Sequence, residues 1–231
     1  MKQLMADIYF RHVLLRAWIT LRRHVWYMSW PCDKPFASHV PVLIALANIV
    51  RPKSVLELGS GLYSTGTFLN RSLFPELEHL DTWEDDPTWI RTIKQTLGGD
   101  SRLELHTAQA PIHKSITGVV LSQYDVIFID DSKQDEDRAQ TISTVVANRT
   151  SRNVIVIHDF EKPCYRSASA GPAHSAAMTA LLPNTGVLWD RPDARLRTIL
   201  DVDQTIRRYR PEAPEDVVFW RSVFHEHGEI R

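Results

Sequence analysis

The sequence predicts a doubly wound α/β domain, on three observations. Apolar, strand-like runs alternate with helical segments from residue 54 to residue 158. Two of those runs, Val126-Ile127-Phe128-Ile129 and Val154-Ile155-Val156-Ile157, are apolar at every position, which central parallel strands covered by helices on both faces require. The first run, Ser54-Val55-Leu56-Glu57-Leu58, enters a Gly59-Ser60-Gly61 turn and then a helix. In such sheets ligands bind at that kind of strand end.

In chain order, residues 1–37 read as an N-terminal helical extension and linker, and residues 38–231 as the main domain. Met1 to Trp30 is apolar and aromatic, but Arg11, Arg16, Arg22 and Arg23 interrupt it. No apolar run approaches the roughly 20 residues that span a bilayer. No small-residue cleavage site follows the short Val13-Leu14-Leu15 cluster. This basic segment, with Trp18, Trp26 and Trp30, could lie on a membrane surface. Its pattern better fits a helix packed on the domain or on a second copy, giving a homodimer. Pro31 to Pro35 breaks it, and Ser38 is predicted to N-cap a helix running to about Val50.

Arg51-Pro52-Lys53 separates that helix from the strand at 54–58. Further strands are predicted over 77–83, 102–107, 124–130 and 153–158, with helices around 65–73, 88–97, 111–121 and 136–147. Beyond Pro163 a helix is expected at 173–182. Strands at 185–189 and 196–202 follow, joined through Pro192-Asp193 as an antiparallel hairpin. The predicted sheet is therefore mostly parallel, with an antiparallel hairpin at its C-terminal end.

Composition narrows the class. Of 231 residues, 43% are hydrophobic and 24% charged, as in an ordinary globular domain. A net charge of −1 argues against a nucleic-acid binder. Cys32 and Cys164, each after a proline, offer neither a disulfide framework nor CxxC metal spacing, so a reduced, cytoplasmic setting is expected. The sequon Asn148-Arg149-Thr150 is read as chance.

The chemistry starts at the glycine turn, where Gly59 and Gly61 let the backbone approach a ligand. Ser64 and Thr65 can cap the following helix or donate to a ligand carboxylate. Glu84 lies 23 residues after Gly61, at the end of the next predicted strand, where an acid can accept both hydroxyls of a ribose. Together these indicate an adenosine-containing ligand. Ser64 stands where the dinucleotide fingerprint has its third glycine. Glu57, an acid inside the apolar strand, would repel a pyrophosphate and attract the ammonium of a methionine moiety. Charge thus favours S-adenosylmethionine over the alternative, an NAD-dependent oxidoreductase.

Glu57-x-Gly59-x-Gly61 resembles motif I of the class I S-adenosylmethionine-dependent methyltransferases, whose domain is Rossmann-like. Leu56 to Gly61 followed by Ser64, Thr65 and Phe68 is similar to small-molecule O-methyltransferase-like members. Further matching stretches are Trp83-Glu84-Asp85-Asp86-Pro87, Tyr124 to Asp130 and Val154 to Asp159, spanning about residues 38–160. A common third motif glycine is replaced by Tyr63. The resemblance implies a small-molecule acceptor, with oxygen preferred. It places Glu57 near the methionine ammonium and Gly59, Ser60 and Gly61 beneath the cofactor. Glu84 would hold the ribose, Asp85, Ala108 and Gln109 would border the adenine, and Asp130 would face the methionine end and the acceptor. Ser38 and His39 would cover the cofactor from the preceding helix.

Catalysis is assigned to Asp130, His158 and Asp159, because neighbouring strand ends should open into one cleft. Methyl transfer is an in-line displacement served by positioning, and an alcohol acceptor gains from losing its proton to a base. His158 is the candidate base. Metal-dependent members of the family place acids at these strand ends, so Asp130 and Asp159 could offer oxygen ligands to Mg²⁺. Their usual Asp-Asn pair is absent, since Phe160 follows Asp159, and no metal is assigned. Asp131 or Glu161 would have to substitute. The acidic run from Asp130 to Asp137 reads mainly as a solvated loop and helix start, and the remaining histidines, with Trp220 and Phe224, as packing or surface groups. A third alternative is a non-catalytic cofactor-binding scaffold. Acceptor specificity is expected from the N-terminal helix, the Pro31–Ser38 loop and Lys162–Ala173.

Overall fold

A computed structural model describes residues 37–109, 111–197, 199, 203 and 204. The N-terminal helix, the Pro31–Pro35 break, Trp220 and Phe224 lie outside the described residues. The elements run α1 (Val40–Ile49), β1 (Ser54–Leu58), α2 (Leu62–Phe68), β2 (His79–Glu84), α3 (Pro87–Leu97), β3 (Leu103–Thr107), α4 (Ile112–Ser115), β4 (Val126–Ile129), α5 (Asp135–Asn148), β5 (Val154–His158), α6 (Pro163–Ala168), β6 (His174–Met178) and β7 (Thr185–Trp189).

Seven strands form one sheet in the order β3-β2-β1-β4-β5-β7-β6. The first five are parallel, and β7 runs antiparallel to both β5 and β6. The order reverses between β1 and β4, which opens a crevice at the carboxyl ends of these two strands. A dinucleotide fold of the 3-2-1-4-5-6 type lacks the reversed strand. Alternate residues of each strand face opposite sides. Val55, Val126, Phe128, Val154 and Val156 pack with α1 and with Phe68 of α2. Leu56, Leu58, Ile127, Ile129, Ile155 and Ile157 pack with Ile142 and Val145 of α5 and Tyr165 of α6. Each such aliphatic side chain contributes roughly 1.5–3 kcal/mol on burial.

β1 spans the residues expected of it, and β2 to β5 lie within two residues of theirs. The C-terminal hairpin differs in its members. Residues 174–178 form strand β6 rather than a helix, because Ala176 and Met178 bury against the core as β6 pairs with β7. Local helix-forming composition yields to that tertiary pairing. Residues 194–197 make a 3-10 turn, so the strand expected at 196–202 is not the hairpin partner. The helix expected over 111–121 is one short turn followed by two 3-10 turns. None of the described helices is long and apolar enough to cross a membrane.

Candidate active site

The glycine turn is built by close approach. Gly59 has φ +88°, and a Cβ there would lie 2.3 Å from the carbonyl oxygen of Asp130. Its N–H donates to Trp83 O at 2.8 Å, while Asp130 N donates to Leu58 O at 2.8 Å. The ends of β1, β2 and β4 are thereby tied at one point. Trp89 of α3 latches the turn by donating from Nε1 to Ser60 O at 2.6 Å. Trp89 was not among the expected site residues, although it lies two positions after the Asp85-Asp86-Pro87 stretch.

Glu57 is fully buried beneath this turn. Thr65 Oγ1 donates to its Oε2 at 2.6 Å and accepts from Gly61 N at 3.1 Å. Its Oε1 is buried without a partner. Burial pushes the Glu57 carboxyl up to about 7, against the Ser64, Thr65 and Thr82 hydroxyls that favour its charge. A buried, half-satisfied carboxylate is a ready receptor for a cationic group. Gly61 is the N-cap residue of α2, and Thr65 reaches back from the first turn to accept from its N–H, so Thr65 caps the helix start without being the N-cap itself.

Glu84 sits at the end of β2 and is buried. Oε2 accepts from Ser60 N and Oγ, both at 3.1 Å, and Oε1 accepts from Asp85 N at 3.0 Å and Asp86 N at 2.9 Å. Burial is the main influence and raises its pKa. Asp85 is half-buried beside it. Ala108 donates its N–H to Glu84 O at 2.8 Å, and Gln109 is exposed, its backbone clipped to Ser115 Oγ. These residues share the carboxyl edge of β1, β2 and β3.

Across the crevice, the ends of β4 and β5 carry a charged cluster. His158 Nδ1 is 3.2 Å from Asp130 Oδ2 and 3.8 Å from Asp159 Oδ1. Its Nε2 lies 2.9 Å from Ser38 Oγ, which donates its single proton to Pro183 O at 2.7 Å. Ser38 therefore accepts from Nε2 while Nδ1 donates to Asp130, the pattern of an imidazolium. Burial alone would lower the His158 pKa, but Asp130 outweighs it and raises it. Asp130 is held below the usual carboxylate range, since His158 and Arg138 overcome the opposing effect of burial. Ser38 is thus a partner of His158 rather than a helix cap: α1 begins at Val40 with His39 as N-cap.

His39 packs its ring 4.8 Å from that of His158 and 5.0 Å from that of Phe128. Both of its nitrogens are buried without partners, and burial holds its pKa down to about 3. It is a neutral imidazole within the same cluster.

Arg138, on α5, was not foreseen. Nη1 lies 3.0 Å from Asp130 Oδ1 and 2.7 Å from Asp159 Oδ2. Nη2 donates to Ser132 O at 2.9 Å and Nε donates to Asp131 O. Burial disfavours its charge, but the carboxylates, Asp130 foremost, raise its pKa further. Asp159 reaches Arg138 from a left-handed turn at φ 56°, which aspartate tolerates better than most residues. Neither substitute metal ligand joins them. Asp131 turns inward to Thr141 Oγ1 at 2.6 Å, with burial pushing its carboxyl up to about 7, and Glu161 accepts from Asn184 N at 2.8 Å. His39, Asp130 and His158 do place ligand-type atoms within 4.8 Å of one another. The guanidinium already neutralises Asp130 there, which disfavours a metal ion at that carboxylate.

No family profile matches the sequence, and neither does any curated protein. Solved structures share its fold. Human methyltransferase-like protein 13 in complex with SAH superposes with TM-score 0.51 at 17% identity, covering 78% of this chain and 96% of that one. Cofactor-bound Rv0187 from MTB gives TM-score 0.50 at 18% identity, covering 76% and 90%. A Staphylococcus aureus protein assigned as a caffeoyl-CoA O-methyltransferase gives 0.50 at 15%, covering 80% and 97%. The chain has the fold of the class I S-adenosylmethionine-dependent methyltransferases, a parallel sheet completed by one antiparallel hairpin.

Proposed function

We propose that this protein transfers the methyl group of S-adenosylmethionine to a hydroxyl oxygen of a small-molecule acceptor. The observation that carries the reading is the fully buried Glu57 carboxylate under the Gly59–Gly61 turn, surrounded by the Ser64, Thr65 and Thr82 hydroxyls and with an Oε1 that makes no hydrogen bond of good geometry, which suits an ammonium and repels a pyrophosphate. The fold shared with SAH-bound and cofactor-bound methyltransferases supports it. S-adenosylmethionine supplies an electrophilic methyl on its sulfonium. Glu57 would hold the ammonium, Glu84 would accept from the ribose, and Asp85, Ala108 and Gln109 would border the base.

The acceptor hydroxyl takes the place of Ser38 Oγ at His158 Nε2. His158, having released its Nε2 proton to solvent, would accept the acceptor's proton as the methyl–oxygen bond forms and the methyl–sulfonium bond breaks, with S-adenosylhomocysteine as the leaving group. Asp130 fixes the ring through Nδ1 and stabilises the resulting imidazolium, and Arg138 keeps Asp130 and Asp159 in place. Because Arg138 already supplies the positive charge between the two carboxylates, the reaction proceeds without Mg²⁺. The test is incubation with S-adenosylmethionine and a panel of catechols, phenols and aliphatic alcohols, followed by mass spectrometry. A methylated product formed equally with and without chelator supports the assignment. Equal turnover by His158→Ala on every accepted substrate would remove His158 from it.

A further inference from the structure

We propose that His79, Asp81 and Glu104, with His106 beside them, form a binding site for a divalent cation of the zinc class at the outer edge of the sheet. His79 and Asp81 alternate with Leu80 along β2 and so share a face, as Glu104 and His106 do along β3. The parallel register sets Asp81 beside Glu104 and Trp83 beside His106, which brings both pairs onto one face. This site lies across two strands that the proposed catalytic cluster at β4 and β5 does not use.

His79, Asp81 and Glu104 bring ligand-type atoms within 4.8 Å of one another, and His106 lies against the opposite oxygens of the same two carboxylates. Nε2 of His79 is 2.8 Å from Asp81 Oδ2 and 3.9 Å from Glu104 Oε2. Nε2 of His106 is 2.8 Å from Asp81 Oδ1 and 3.7 Å from Glu104 Oε1. Zinc bonds to imidazole and carboxylate are about 2.0–2.2 Å, so tetrahedral ligand atoms sit about 3.3 Å apart. The observed separations bracket that value. The Glu104 distances are too long for hydrogen bonds yet suit two ligands of a single ion. Two imidazoles with two carboxylates favour zinc over magnesium or calcium, which take oxygen donors.

The surroundings are those of a held site. The Tyr124 hydroxyl donates to Asp81 Oδ2 and fixes its carboxylate. Trp83 stacks on His106 at 4.6 Å and 16°, fixing that ring. Asp81 is buried while the Glu104 side chain is 60% exposed, so an ion can enter from solvent onto an anchored base. Bound there, the cation pins the edge strand β3 to β2.

The full-length chain, stripped with chelator, is titrated with Zn²⁺ and separately with Co²⁺. The expected result is tight binding with visible Co²⁺ ligand-field bands, quenching of Trp83 by Co²⁺, and a thermal midpoint that rises with Zn²⁺ concentration. His79→Ala and His106→Ala should each lower affinity about tenfold or more and erase the bands, whereas His158→Ala should leave them. Both substitutions fall on partly exposed side chains, and circular dichroism verifies that each variant is folded. No binding by the native chain, or binding unchanged in the folded His79→Ala/His106→Ala double variant, would overturn the site and leave only a hydrogen-bond network.

Discussion

His158 Nδ1 lies 3.2 Å from Asp130 Oδ2, joining the ends of two neighbouring parallel strands through one ion pair. The groups facing this imidazole are Asp130, Asp159, Arg138, His39 and Ser38. Its pKa is raised above 6.5, so the base form needed for proton removal accumulates only at higher pH. The kcat/KM profile, which reports the groups of the free enzyme, should therefore rise with pH through a midpoint above 6.5. Asp130→Asn removes the charge that raises this pKa, and the midpoint should move down. His158→Ala should lower kcat by roughly 10²–10⁴ while cofactor affinity stays the same.

Arg138 is the buried cation between two acids. Arg138→Met leaves Asp130 and Asp159 with only the His158 imidazolium to compensate two carboxylates. Unfolding by denaturant should show a loss on the order of 3 kcal/mol, toward the lower end for a broken buried pair because both carboxylates keep some access to water. In the native protein, chelators should leave methyl transfer unchanged.

Much of this was legible in the sequence. β1, β4 and β5 were visible as apolar runs, and Glu57, Glu84, Asp130 and His158 as polar residues at predicted strand ends. What stayed hidden depended on tertiary partners. Ser38 resembles a helix cap until β5 brings His158 to its hydroxyl. Arg138 resembles one charge on a solvated helix until Asp159 turns back toward it. Asp131 read as part of an exposed acidic run and is instead buried against Thr141. The residues 174–178 carry alanines that favour helix, and only pairing with β7 makes them a strand. The alternation His79-x-Asp81 and Glu104-x-His106 was on the page, but its meaning needed the register of β2 and β3.

Gly59 should tolerate no side chain. Gly59→Ala would put a Cβ against the Asp130 carbonyl at a φ that alanine disfavours. The expected cost is on the order of 3 kcal/mol. Thermal unfolding and cofactor affinity should both fall, whereas Gly99→Ala, where an added Cβ meets nothing within 4 Å, should change neither.

Glu57 makes cofactor binding depend on pH. Its carboxyl titrates at about 7 in the free protein, and an ammonium held against it would lower that value. Binding then releases a proton below pH 7, and affinity should fall about tenfold for each unit of acidification below it. Repeating the titration in buffers of different ionisation enthalpy counts the proton.

The central claim is that this crevice holds S-adenosylmethionine through Glu57. Calorimetry with S-adenosylhomocysteine, which keeps the ammonium and the ribose, tests it directly, with NAD⁺ in parallel. The account predicts micromolar binding of S-adenosylhomocysteine, weakened at least tenfold and freed of its acid-side pH dependence in Glu57→Gln, and no binding of NAD⁺. Absence of S-adenosylhomocysteine binding, or NAD⁺ binding in its place, would contradict it.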